Sequence, residues 1–222
     1  DVMRKIALLH TVLPVAASLE GELRAARAME VKVYNVWDQF LSLDPNDVGV
    51  FTRAHQRRLL HDLERCAETG AELVVVTCST LTPHLPLLRP LIGVPVLAMD
   101  EAMLEKALTY GDRVLVVATA GSTIAASAEK IEENAAALGR LVTVGRMVVE
   151  PAFWAMQAND PAEHDRLLTE ALADVRDYDC MVRAQGAMAR CTTAIEAATG
   201  IPTLASPALC IAQVKARLEV RE

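Results

Sequence analysis

The feature that most constrains this chain is an alternation in which short β-branched apolar runs take turns with longer stretches rich in Ala, Leu, Glu and Arg. The short runs are apolar on both faces, the pattern of parallel strands covered by helices on each side. This reading predicts strands over residues 5–10, 31–36, 73–77 and 94–98, with helices over 17–29, 52–69 and 83–91 between them. A helix over 99–110, stopped at Gly111, leads into a second set. Its strands are expected at 113–118, 142–149, 180–184 and 201–204, and its helices at 124–138, 162–175, 187–199 and 207–220.

The second set repeats the first in its spacing. Gly93-Val94-Pro95 recurs as Gly200-Ile201-Pro202, and Cys78 precedes Pro95 by the same 17 residues that separate Gln185 from Pro202. Thr11 precedes Cys78 by 67 residues, and Thr119 precedes Gln185 by 66. The spacing places Cys78 and Gln185 at equivalent points of two α/β halves.

Charge and composition exclude several classes. With 22 Lys and Arg against 29 Asp and Glu, the formal charge is −7 and no basic run tracks a phosphate backbone, so no nucleic-acid partner is expected. Apolar stretches last five or six residues, far below the roughly 18 that span a bilayer, so no membrane segment is expected. The opening Asp1-Val2-Met3-Arg4-Lys5 runs directly into a strand-like run, so no signal peptide is expected. Five cysteines, an odd number without a C-x-x-C pair, suggest neither a disulfide framework nor a metal site, and point to a reduced, cytoplasmic setting.

Ligands of open parallel sheets bind beyond the carboxyl ends of the strands. Those ends here are His10-Thr11, Thr77-Cys78-Ser79-Thr80, Thr119 with Ser122 and Thr123, and Gln185-Gly186. Hydroxyls and free backbone N–H groups at helix starts suit a carboxylate, so a small carboxylic acid is the expected ligand. Ser and Thr are also ordinary helix caps, and convergence of three clusters is what favours a site. Cys78, flanked by Thr77, Ser79 and Thr80, is the candidate reactive thiol, because helix N–H groups at such a turn favour a thiolate that can act as base or nucleophile. Cys66, Cys180, Cys191 and Cys210 read as packing residues. His10 is placed to touch the pocket, whereas His55 and His164 read as helix-start residues. Arg183, inside an apolar strand, needs a buried partner or a substrate carboxylate. No G-x-G-x-x-G or G-x-x-x-x-G-K-[ST] follows any strand, which argues against nucleotide binding.

Thr77-Cys78-Ser79-Thr80 after an apolar strand resembles the first cysteine motif of the aspartate/glutamate racemase superfamily, which includes hydantoin racemases, maleate isomerases and arylmalonate decarboxylases. The resemblance extends through Thr119 to Thr123, Asn159-Asp160 with His164-Asp165, Ala184 to Ala189, and Ile201-Pro202. It implies an α/β fold of two pseudo-symmetric, flavodoxin-like parallel-sheet halves, residues 1–98 with 207–222 and residues 99–206, and a site in the cleft between them. It also implies carbon-acid chemistry without cofactor or metal, and a homo-oligomer. Superfamily racemases use one cysteine from each half; here the second position is Gln185, and an amide cannot relay a proton. The expectation is therefore an isomerase or lyase working through Cys78, with Gln185 orienting the substrate and Ser79, Thr80, Thr119, Ser122 and Thr123 supplying donors. The alternatives are a racemase with another second base, such as His10, and a carboxylate-binding protein without catalysis.

Overall fold

A computed structural model describes residues 3–11, 19–23, 31–119 and 121–219. They form two four-stranded parallel sheets. The first has the order β2-β1-β3-β4, with β1 Arg4–His10, β2 Val31–Trp37, β3 Leu73–Val76 and β4 Val96–Ala98. The second repeats it as β6-β5-β7-β8, with β5 Arg113–Ala118, β6 Thr143–Val148, β7 Cys180–Arg183 and β8 Thr203–Ala205. The molecule divides into two compact units, one of residues 1–99 with 207–222 and one of residues 100–206.

Pleating explains the first core. Ala7 and Leu9 of β1 and Val74 and Val76 of β3 point to one face, against Leu59, Leu63 and Cys66. Ile6, Leu8, Leu73 and Val75 point to the other, against Cys210, Ile211, Val214 and Leu218. The first group of helical residues belongs to α2, Arg53–Glu68, which follows α1, Phe40–Val48. The second belongs to the C-terminal helix Ser206–Glu219, which returns to the first sheet and supplies its second cover. Edge strands β2 and β6 are only partly buried, whereas the other edge strands, β4 and β8, are largely buried, so the expectation of strands covered on both faces holds for every strand but β2 and β6.

Several boundaries differ from the sequence reading for local reasons. The helix expected over 83–91 is a chain of short turns: a 3-10 turn Thr82–His84, α3 Leu85–Leu88, and a 3-10 turn Arg89–Leu91. Pro83, Pro86 and Pro90 each lack an N–H, so no long run of i→i−4 bonds forms. The helix expected over 187–199 likewise opens as the 3-10 segment Gly186–Cys191 and becomes α-helical at Thr192–Thr199. Helix α1 and the helix Glu150–Gln157 go unannounced, because Pro45 and Pro151 read as breakers. Of the helix expected over 17–29, residues 19–23 are helical and the rest lies outside the described residues. The Gly93 and Gly200 motifs match at their prolines, Pro95 O accepting the Val74 N–H at 2.9 Å as Pro202 O accepts the Met181 N–H at 2.8 Å, but not at their glycines: Gly200 is a left-handed helix cap at φ 71°, whereas Gly93 is not left-handed.

Gly111 closes no helix. The preceding helix, Glu101–Ala107, ends four residues earlier, and Gly111 instead clears space for Asp179, whose carboxylate accepts the Arg113 N–H at 2.8 Å. A Cβ at position 111 would collide with that side chain. Gly111→Ala is expected to lower stability by about 1–3 kcal/mol, measured by urea unfolding, as overpacking does elsewhere.

Candidate active site

Strand register brings the sequence-selected residues to matched positions in the two units. In the first, Leu9 pairs with Val76; two residues beyond each stand Thr11 and Cys78. In the second, Val117 pairs with Arg183; two residues beyond each stand Thr119 and Gln185. Thr77 N–H donates to Leu9 O at 3.0 Å, just as Ala184 N–H donates to Val117 O at 3.0 Å. Both pairs therefore leave their sheets at the carboxyl end.

In the first unit Cys78 and Ser79 begin the turn, with Leu81 N–H donating to Cys78 O at 3.0 Å and Thr82 N–H to Ser79 O at 3.3 Å. Cys78, Ser79 and Thr80 are partly exposed. The long helix expected to follow Cys78 is the proline-broken series of short turns, so no extended helix dipole acts there. His10 is fully buried and both ring nitrogens are engaged. Asn35 Nδ2 donates to Glu20, which turns Asn35 Oδ1 toward His10 Nε2 at 3.0 Å and makes that nitrogen the protonated one. His10 Nδ1 then accepts from Thr77 Oγ1 at 2.8 Å, in competition with Leu9 O, which the same hydroxyl reaches at 3.2 Å. Burial lowers the His10 pKa against the opposing pull of Asn35 and Glu20, so the ring stays neutral and has no nitrogen left for a ligand. Thr11 is 2% exposed and its hydroxyl has no hydrogen-bond partner among the described residues.

In the second unit, Thr119 donates twice to Gln185 Oε1, from its backbone N–H and from its hydroxyl, each at 2.8 Å. Thr119 and Thr123 are buried and Gln185 is partly exposed. Gly186 opens the 3-10 segment; the Ser122 side chain lies outside the described residues.

The family model described as Asp/Glu/Hydantoin racemase matches residues 49–214. The chain belongs to the Asp/Glu/hydantoin racemase family. It is thereby an isomerase-type enzyme. Solved structures share the fold at low identity. Glutamate racemase from Francisella tularensis, in complex with D-glutamate, superposes with a TM-score of 0.75 at 9% identity, covering 98% of this chain and 82% of that one. Allantoin racemase from Klebsiella pneumoniae gives 0.66 at 16%, covering 98% and 88%. Arylmalonate decarboxylase gives 0.59 at 18%, covering 94% and 90%. No curated protein matches the chain by sequence.

In this racemase-family chain, Cys78 is the one cysteine of five that is not buried. Burial, reinforced by Asp62, Asp179 and Asp165 respectively, pushes Cys66, Cys180 and Cys191 up to about 12, which keeps them thiols at neutral pH. Arg183 is committed to structure: its guanidinium donates to Met188 O and Thr192 Oγ1, and burial pulls its pKa down to about 10. His55 completes a capping box with Thr52 and binds Asp44 through Nε2 at 2.8 Å. His164 does not cap its helix, Pro161–Leu172, since Asp160 does; its Nδ1 meets Asp165 at 2.8 Å. Among the described residues no helix is long and apolar enough to cross a membrane.

One pair escaped the sequence reading. Asp38 follows β2 at the carboxyl end of the first sheet, its N–H donating to His10 O at 2.9 Å, and it lies against Asp62 of α2. Extending the strand-end rule to β2 would have found Asp38; nothing in the sequence points to Asp62. Burial disfavours charge on Asp38, but the hydrogen bonds from Arg58, Asp62 and the Phe40 N–H, together with the Arg58 charge, outweigh it and hold that carboxyl below its usual range. Asp62 takes the opposite course: burial first, then the neighbouring Asp38, push it up to about 7.

Proposed function

We propose that this family member acts on a small carboxylic acid through a single sulfur, that of Cys78, as an isomerase or lyase needing no cofactor. One contrast carries the reading: of the two register-matched positions, one holds a partly exposed thiol and the other an amide whose oxygen is already taken by Thr119. Only the first can carry a proton.

In the lyase form, the bond from the α-carbon to a carboxylate breaks, CO2 leaves, and the electron pair remains as an enediolate. Cys78 S–H delivers its proton to that carbon, and the thiolate regains one from water. In the isomerase form, the thiolate adds to an activated double bond, the π pair moves to the adjacent carbon, rotation follows, and the C–S bond breaks. Either way charge develops on oxygen, and preorganised donors such as Ser79 and Thr80, beside Cys78 in the same turn, would stabilise it by roughly 3 kcal/mol each. The Gln185 amide would orient the substrate.

Turnover of a panel of 2-substituted malonates and unsaturated diacids in D2O tests this. The expected decarboxylation product carries one deuterium at the new C–H and is a single enantiomer. Deuterium entering both enantiomers of a 2-substituted acid would establish a second base and overturn the single-sulfur reading. Ligand binding with neither exchange nor turnover would make the protein a binder.

A further inference from the structure

Thr119 fixes which end of the Gln185 amide is available. A backbone N–H only donates, so the group it meets at 2.8 Å must be the amide oxygen, and the Thr119 hydroxyl reinforces that choice on the same atom. Flipping the amide would set its NH2 against the N–H and leave a buried donor unsatisfied, which is costly. Thr119 is 6% exposed, so water is a poor substitute partner. The Gln185 Nε2 has no hydrogen-bond partner among the described residues.

From this geometry we infer that Gln185 is a one-sided hydrogen-bond donor held in that state by Thr119, selecting a substrate oxygen, carboxylate or carbonyl, and rejecting an ammonium group at that position. This rests on the proposed role of Gln185 in holding substrate and specifies what it holds. Gln185 is thus a specificity determinant and Thr119 its positioning residue. An amide free to rotate could accept from an ammonium as readily as donate to a carboxylate; this one cannot.

Malonate and succinate serve as probes, with binding followed by calorimetry and by the Gln185 side-chain NH2 signals in 15N-resolved NMR. Both NH2 signals should shift on addition of at least one dianion. Gln185→Glu keeps the shape but replaces the donor with a negative acceptor, and should weaken that dianion at least tenfold at neutral pH. Thr119→Val should weaken it several-fold and move the NH2 signals of the free protein, while Thr119→Ser restores both; loss of packing alone would not be rescued in this way. Unshifted NH2 signals with both probes, or equal or tighter dianion binding by Gln185→Glu, would overturn the inference. The same titrations in Cys78→Ser separate the two proposals. Dianion binding that depends on Gln185 in a protein whose chemistry proves independent of Cys78 would sink the mechanism and leave this inference standing.

Discussion

Cys78→Ser should reduce turnover by about 10²–10⁴-fold, the range over which a positioned proton carrier contributes to rate. Cys78 is partly exposed and packs against the margin of the core that α2 covers, so exchanging sulfur for oxygen trims one marginal contact and leaves the fully buried residues of both cores in place. Serine preserves size and hydrogen bonding; what it lacks is acidity, because an alcohol is far less ready than a thiol to give up or regain a proton. The remaining cysteines cannot compensate, since Cys66, Cys180, Cys191 and Cys210 are all buried. The measurement is kcat for wild type and variant on whichever acid the panel identifies, with circular dichroism to confirm the fold. Undiminished kcat in the serine variant would remove sulfur from the mechanism.

The second large effect concerns stability and pH. Asp62 is 4% exposed and Asp38 6%, and only Asp38 has the Arg58 guanidinium bonded to it, with one of those bonds at 3.1 Å. Arg65 reaches Asp62 Oδ1 at 3.3 Å from a largely exposed position, and the Cys66 thiol lies nearby, uncharged. Among the described residues no donor reaches Asp62 Oδ2, so a proton bound by Asp62 is one that it can share with Asp38. In the unfolded chain Asp62 ionises near its usual 3.8, whereas in the fold it does so at about 7. Between those values the folded state binds more protons than the unfolded one. Stability from this group is therefore complete below about 4, falls as pH rises, and is lost above about 7, at a slope of at most about 1.4 kcal/mol per pH unit. Asp62→Asn places a permanent N–H donor against Asp38 and removes the titration. Its melting temperature should fall less than that of wild type between pH 5 and pH 8, and should exceed it at pH 8. Parallel melting curves across that range would show that the pair does not titrate as described.

Much of the fold was legible because its signals are local. β5 begins and ends where the apolar run does, at Arg113 and Ala118, and the helix expected over 52–69 is α2, Arg53–Glu68, flanked by Thr52 and Thr69. The failures are also local, but involve competition between signals: Pro45 lies within a helix, and three prolines divide the segment after Cys78 into turns. At the candidate site, the strand-end rule selected Cys78, Thr119 and Gln185 correctly as residues at the carboxyl ends of strands. It could not foresee that His10, at such an end, would have both nitrogens consumed by Asn35 and Thr77.

By itself the sequence determined the alternation of elements, the repeat that matches position 78 with position 185, and the absence of a second thiol at the latter, because periodicity and residue identity are properties of neighbouring positions. It took the tertiary fold to show that Thr119 grips the Gln185 oxygen across 66 residues and that burial beside Asp38 raises the Asp62 carboxyl to about 7. These outcomes depend on strand register and burial, which bring distant groups within hydrogen-bonding distance and remove the water that would otherwise leave each of them independent.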